Sequence, residues 1–237
     1  MTEPVRLRHD PAALRPSYAS ARPFPHAVID DLFEDSGLEQ VLAAFPRPET
    51  TKWISFDSPT EKKLGFHHQV SQLDPIIRRF LMEMNSFEML SFLETVTGID
   101  GLIPDPYFGG GGIHQILPGG FLKVHADFNV HPKLKLDRRL NMLIYLNKDW
   151  KEEYGGHLEL WDPEMKGCVR SVRPDFNRTV IFSTTDTSFH GHPTPLAVPE
   201  GMTRKSVSLY YYTSGRPSEE RSAAHDTIFR KRSEGEW

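Results

Sequence analysis

The stretch HADFNVH, residues 125–131, sets two histidines, an aspartate and an asparagine within seven residues of a chain that holds eleven histidines in all. It follows the apolar run GFLKV. If the stretch continues a strand, side chains at i and i+2 leave the same face. His125 and Asp127 then reach together into whatever the sheet encloses. An imidazole and a carboxylate so placed can grip one edge of a metal ion. A polar turn between strands is the plainer reading, and the surrounding sequence decides between them.

From residue 113 onward short apolar runs dominate: GFLKVHADFNV, RLNMLIYLN, HLELWD, RTVIFST and KSVSLYYYT. They are rich in β-branched and aromatic residues and are separated by turn residues, which predicts a sandwich or barrel such as a double-sheet jelly roll. The GGGG at 109–112 opens no helix and is followed by no GK[ST], so it is not a phosphate loop.

The first half predicts helices. DSGLEQVLAAF pairs Ser36 with Glu39 as a capping box, sets Leu38, Val41, Leu42 and Phe45 on one face, and stops at Pro46 and Pro48. PIIRRFLMEM is a second helix. NSFEMLSFLETVTG is a third, with Asn85 and Glu88 near its start, Gly98 past its end, and Phe87, Leu90, Leu93 and Val96 at helical spacing. Residues 1–25 are rich in Pro and Arg, show no periodicity, and are expected to wrap the surface or fray. Residues 51–73 are polar and aromatic and fit no element. The expected fold class is α+β, a double-stranded β-helix (jelly roll, cupin-like) behind N-terminal supporting helices. The expected division is an extension over 1–25, a domain over 26–215 with its jelly-roll core at about 113–213, and a tail over 216–237.

Composition narrows the function classes. The chain has 237 residues and a formal net charge of −4. It carries no basic stripe, so no nucleic-acid partner is expected. Arg230-Lys231-Arg232 reads as part of a solvated tail. The single cysteine, Cys168, excludes an internal disulfide and a Cys-based zinc motif. No signal-like N-terminus and no run of about 18 apolar residues is present, so a cytoplasmic protein without a membrane span is expected. Sequence does not specify the oligomeric state.

A third metal ligand must come from a distant strand facing the same cavity. SFHGHP offers His190 and His192, again an i, i+2 pair. Two histidines and one carboxylate make the facial triad that suits non-haem Fe(II), although imidazole alone does not separate iron from zinc. Arg204 opens the apolar run of RKSVSLYYY. A guanidinium at the mouth of a buried strand is costly unless it meets an anion, and its planar fork suits a carboxylate. A small dicarboxylate such as 2-oxoglutarate would span from metal to Arg204. Tyr145, in IYLN, could add a hydroxyl donor.

From about Gly119 to Thr213 the chain resembles the iron- and 2-oxoglutarate-dependent dioxygenases of the prolyl 4-hydroxylase type. The segment IYLNKDWKEEYGGHLELWDPE is similar to their YLN-x-x-W…GG-x-L-x-L core. DFNRTVIFSTTDTSFHGH resembles their P-x-x-x-R-x-x-x-F…H segment, and RKSVSLYYY their closing strand.

The resemblance implies that His125, Asp127 and His190 bind Fe(II), that Arg204 anchors 2-oxoglutarate, and that Tyr145 assists. His190 is preferred to His192 on its spacing from Phe182 and on strand phase. The family usually carries a small apolar residue where His192 stands. The implied reaction consumes 2-oxoglutarate and O₂, with ascorbate as a candidate reductant, releases succinate and CO₂, and hydroxylates an unactivated C–H. The expected substrate is an amino-acid, peptide or protein side chain, or a small metabolite.

Residues 52–69 and the loop FNVHPKLKLDRR are expected to govern that choice. Lys133, Lys135, Arg138 and Arg139 could meet an anionic substrate, although a solvated charged loop is the simpler reading, and His131 is read as a solvated loop residue. His114 and His157 have no assigned part. The alternatives are a zinc-dependent hydrolase on the same ligands and a non-catalytic jelly-roll binding module.

Overall fold

The run RLNMLIYLN is apolar nearly throughout because both faces of its strand are covered. The computed structural model describes residues 6–66, 69–234 and 236. Its helices are α1 (Pro11–Ser20), α2 (Asp35–Ala43), α3 (Pro75–Met84) and α4 (Phe87–Thr97). The strands are β1 (His26–Asp30), β2 (Ile54–Asp57), β3 (Glu61–Phe66), β4 (Ile103–Pro104), β5 (Gly112–Ile116), β6 (Phe121–Ala126) and β7 (Asp137–Tyr145). They continue with β8 (Leu158–Trp161), β9 (Cys168–Val172), β10 (Arg178–Ser183), β11 (His190–His192), β12 (Arg204–Thr213) and β13 (Ile228–Phe229).

The strands form one antiparallel sheet in the order β1-β10-β7-β12-β5-β3-β6-β11-β8-β9, with β13 added to β6, β2 to β3 and β4 to β12. The sheet curls round a cavity lined from β3, β5, β6, β7, β8, β11 and β12. This is the double-stranded β-helix of the expected α+β class.

On β7, Leu140, Met142 and Ile144 pack into the main core with the helices, while Asn141, Leu143 and Tyr145 line the cavity. β12 divides the same way: Val207, Leu209 and Tyr211 face the helices, and Arg204, Ser206, Ser208 and Tyr210 face inward. Each such aliphatic side chain, once buried, contributes roughly 1.5–3 kcal/mol. The helical layer therefore holds the outer face of the strands whose inner face carries the site.

Several local readings are corrected. Residues 1–25 contain α1, capped by Asp10, whose side chain accepts from Ala12 N at 3.0 Å. The helix buries Tyr18, whose hydroxyl meets Ser183 Oγ at 2.7 Å, so this part is docked rather than frayed. Residues 1–5 of that extension lie outside the described residues. The Ser36–Glu39 capping box does not form: Glu34 is the cap position without a side-chain bond, and Glu39 pairs with Lys148 instead. α4 is capped by Ser86, which accepts from Met89 N at 3.3 Å. Asn85 closes α3 and donates to Asp105 O. Phe87 is 79% exposed and belongs to no packed stripe. The unassigned 51–73 stretch supplies β2 and β3, whose alternation is hidden by polar residues at an edge; His67 and His68 lie outside the described residues. The 216–237 tail is not wholly solvated, since Ile228 pairs with Ala126 and Phe229 with His125.

Asn177 joins the two layers. It is fully buried, with φ 59°, and its amide donates to Phe33 O at 2.8 Å and to Asp35 Oδ1 at 2.6 Å. Its Oδ1 accepts from Phe33 N at 3.2 Å. Asn177→Ala removes these bonds and leaves a β-carbon residue in a left-handed conformation. We expect a loss of about 3 kcal/mol, read as a lowered midpoint in urea unfolding.

Candidate metal centre

β6 and β11 pair so that His190 lies opposite His125 and His192 opposite Leu122. Three residue steps on β6 thus face two on β11, which is a bulge on β6. Because of it Leu122 and His125 both line the cavity, although strict alternation would send one of them outward.

His125 Nδ1 lies 2.9 Å from Lys123 O, and His190 Nδ1 lies 2.9 Å from Ser188 O. A carbonyl only accepts, so each Nδ1 carries the proton and each Nε2 keeps its lone pair for a metal. The two Nε2 atoms lie 3.5 Å and 3.4 Å from the Asp127 carboxylate oxygens. Their rings are 4.4 Å apart between centroids. One donor atom from each of the three residues falls within a 4.8 Å span, and among the described residues this is the one cluster of its kind. Burial pushes His190 down to about 4, so its imidazole is neutral near pH 7 and needs no proton release to bind a cation.

Asp127 is held from behind. Its Oδ2 accepts from Asn141 Nδ2 at 2.7 Å and forms an ion pair with Arg138 Nη2 at 3.1 Å. Burial alone would raise the carboxyl, but Arg138 first, then His190 and His125, hold it well below the usual carboxylate range. Arg138 is 1% exposed and lies between the rings of Phe128 and Tyr210, 4.5 Å and 3.5 Å from their centroids. Reading 132–139 as a solvated charged loop is wrong for Arg138 and Arg139. Arg139 is also buried, beside Thr213 and Glu220.

The reason is a second bulge. Tyr211 pairs with Leu140 and Tyr212 with Arg138, so Arg139 is the extra residue on β7. Arg138 and Asn141, three apart, thereby face the same cavity. Sequence reasoning assigned no role to Asn141, and its only available signal was a polar residue inside an otherwise apolar strand.

Arg204 enters the same cavity. Its Nε donates to Gly156 O at 2.8 Å, and its guanidinium lies 4.9 Å from the Tyr145 ring centroid. Arg204, Arg138 and Lys63 are the cationic side chains lining the cavity. Lys63 pairs with Glu61 and Arg138 with Asp127; Arg204 has no acidic partner among the described residues. Tyr145 Oη is buried and has no hydrogen-bond partner among the described residues. Gly156, at φ 68°, makes room: a Cβ there would lie 3.0 Å from Arg204 Cδ and collide with Leu196. The second glycine of YGG is thus set by the passage of the arginine.

The cavity measures about 230 Å³, several times the ≈30 Å³ share of a water molecule. A second, wider hollow of about 490 Å³ adjoins it and shares Gly110, Phe128 and Thr227. His131 lines that hollow but is 2% exposed, with Nδ1 accepting from Lys133 N and Leu134 N. It is a buried loop organiser, not a solvated residue. His114 lines the inner cavity beside Ser208, and His157 lies apart, near Ser171 and Glu152. The sequence-expected set of His125, Asp127, His190, Arg204 and Tyr145 is brought to one cavity, with His192 in it as well.

Comparison with known proteins agrees with this arrangement. Residues 111–212 match the family model of the 2OG-Fe(II) oxygenase superfamily. Prolyl 3-hydroxylase OGFOD1 of Mus musculus is 33% identical over 79 residues, which is 32% of this chain and 14% of that protein. The chain thus matches about a seventh of the length of this curated relative. In fold it is similar to a Pseudomonas putida prolyl-4-hydroxylase, at TM-score 0.61 and 15% identity over 87% of this chain and 100% of that one. It is also similar to a prolyl hydroxylase of Trichoplax adhaerens solved with a hypoxia inducible factor peptide fragment, at TM-score 0.58 and 15% identity, covering 85% and 88%. Residues 111–212, which carry every side chain of the metal cluster, are thus the part of the chain that matches the 2OG-Fe(II) oxygenase superfamily, and the fold is like that of the prolyl 4-hydroxylases.

Proposed function

We propose that this protein is an Fe(II)- and 2-oxoglutarate-dependent dioxygenase that hydroxylates an unactivated C–H of an amino-acid, peptide or protein side chain, or of a small metabolite. The observation that carries the reading is the shared cavity: two Nε2 atoms and a carboxylate converge at one part of it, and a buried guanidinium with no acidic partner among the described residues faces the same space. A zinc hydrolase would use the three ligands but leave Arg204 and Tyr145 Oη without a task. A non-catalytic module would need none of this alignment.

Iron, 2-oxoglutarate and O₂ together supply oxidative decarboxylation of the keto acid to succinate and CO₂, coupled to hydroxylation of the substrate. The chain's own residues do the rest. His125, His190 and Asp127 would hold the cation. Arg138 and Asn141 hold Asp127 Oδ2, so the carboxylate would offer Oδ1 to a bound cation. The guanidinium of Arg204 takes the far carboxylate of the co-substrate, and Tyr145 Oη donates to it. Leu122, Leu143 and Leu158 line the walls and keep water out.

Substrate approaches through the wider hollow, whose rim includes Phe128, Val130, Pro132 and Lys133 of the loop expected to select it. Phe56, Glu61 and Lys63 of the 52–69 segment stand on the inner side. The names of the relatives favour a prolyl or peptide substrate. We assign the catalytic domain to 26–215, with the tail lending Thr227 and Phe229 to the cavity wall. Ascorbate is the candidate reductant. A cytoplasmic setting fits the single cysteine, and no described helix is long and apolar enough to cross a membrane.

Under aerobic Fe(II) conditions the protein should convert 2-oxoglutarate to succinate, and His125→Ala should form none. Wild-type protein that makes no succinate with any substrate would sink the proposal. Arg204→Ala should raise the KM for 2-oxoglutarate by about 100-fold, the worth of a charge-assisted bidentate contact, with a smaller change in kcat at saturation. Arg138→Met should cost the metal-free protein about 3 kcal/mol, because it leaves Asp127 buried and unpaired. Mn(II) replaces the missing cation, so it should raise the variant's Tm by more than it raises that of the wild type.

A further inference from the structure

His192 has no part in the site described so far, yet it is built into it. The residue is 4% exposed and lines the inner cavity, and its Nδ1 has no hydrogen-bond partner among the described residues. A buried polar nitrogen is seldom left unpaired without a reason. The strand leaves it no alternative direction. His190 and His192 are i, i+2 on β11 and share the inner face. Between them Gly191 presses on β6: a Cβ there would stand 2.8 Å from Leu122 O and 2.9 Å from Lys123 O. β11 is thus seated too closely on β6 to roll and turn His192 outward.

His192 is also in the wrong place to be a metal ligand. It lies opposite Leu122, beyond the bulge, while His190 lies opposite His125 and joins the ligand cluster. The groups that act on its ring are Arg204, Lys63 and His125, and no carboxylate is among them in the described residues. Tyr145 Oη is likewise buried and unpartnered, beside Arg204. His192 and Tyr145, each with a buried polar atom that has no hydrogen-bond partner among the described residues, thus line the same cavity as a guanidinium with no acidic partner among them. Such a lining suits an anion.

We infer that His192, through Nδ1–H, is a further donor to the far carboxylate of the co-substrate. With Arg204 and Tyr145 it selects a keto acid that ends in a second carboxylate. The inference rests on the dioxygenase reading above and assigns a positioning role within it.

The test is calorimetric titration of Mn(II)-loaded protein, without turnover, using 2-oxoglutarate and 2-oxopentanoate, which has the same chain length but no far carboxylate. His192→Val should weaken 2-oxoglutarate binding by about tenfold or more, the worth of a hydrogen bond to a charged group, and leave 2-oxopentanoate and Mn(II) affinity unchanged. His192→Asn, whose amide nitrogen stands near the place of Nδ1, should recover most of the loss. His192→Leu replaces the valine variant if the latter does not fold. Unchanged 2-oxoglutarate affinity in the variants overturns the inference, as does an equal loss for both keto acids or a loss of Mn(II). If the wild type binds neither keto acid, it is the dioxygenase reading that fails.

Discussion

The buried negative charge of Asp127 is the constraint around which the site is built. Removing a carboxylate from water costs several kcal/mol even after relaxation. Arg138 offsets that cost at 3.1 Å, and the guanidinium is itself enclosed by two aromatic faces and by Asn141. Oδ2 is thereby committed to Asn141 and Arg138, while Oδ1 stands 3.5 Å from His125 Nε2 and Oδ2 3.4 Å from His190 Nε2. Rotamer freedom at Asp127 is lost before any cation arrives, which is the preorganisation a metal site requires.

Two irregularities in the sheet make this possible. The bulge on β6 swings His125 into the cavity that Leu122 already lines, and the bulge on β7 swings in Arg138 alongside Asn141. A perfectly alternating barrel would have turned His125 or Arg138 toward the outer face. Elsewhere alternation is regular, as on β12, where Arg204, Ser206, Ser208 and Tyr210 all face inward. The same sheet thus presents a dry, helix-covered outer face and a polar inner one, and the polar groups face inward because partners await them there.

The helical layer acts at a distance. Tyr211 donates to Met84 O at the end of α3, and Asn177 ties β10 to the start of α2. These contacts fix the strands from outside, so the inner face needs fewer apolar contacts of its own. The C-terminal segment adds Phe229 against the His125 ring, 5.5 Å between centroids, and closes one side of the cavity.

The sequence by itself singled out the candidate metal ligands. His125 with Asp127, His190 in SFHGHP and Arg204 at a strand start are legible because their chemistry is rare in apolar strands and their spacing is local. The β-rich second half and the three helices containing Leu38, Ile77 and Leu93 were legible for the same reason, since hydrophobic periodicity is written over a few residues. Tertiary structure alone decided the rest. Arg138 looked like part of a solvated basic loop because a bulge has no sequence signature. Spacing favoured His190 over His192, but it is the register on β6 that sets His190 opposite His125 and His192 opposite Leu122. The tail's strand, the docking of α1 and the burial of His131 all depend on partners more than a few residues away, and a local pattern carries no information about those.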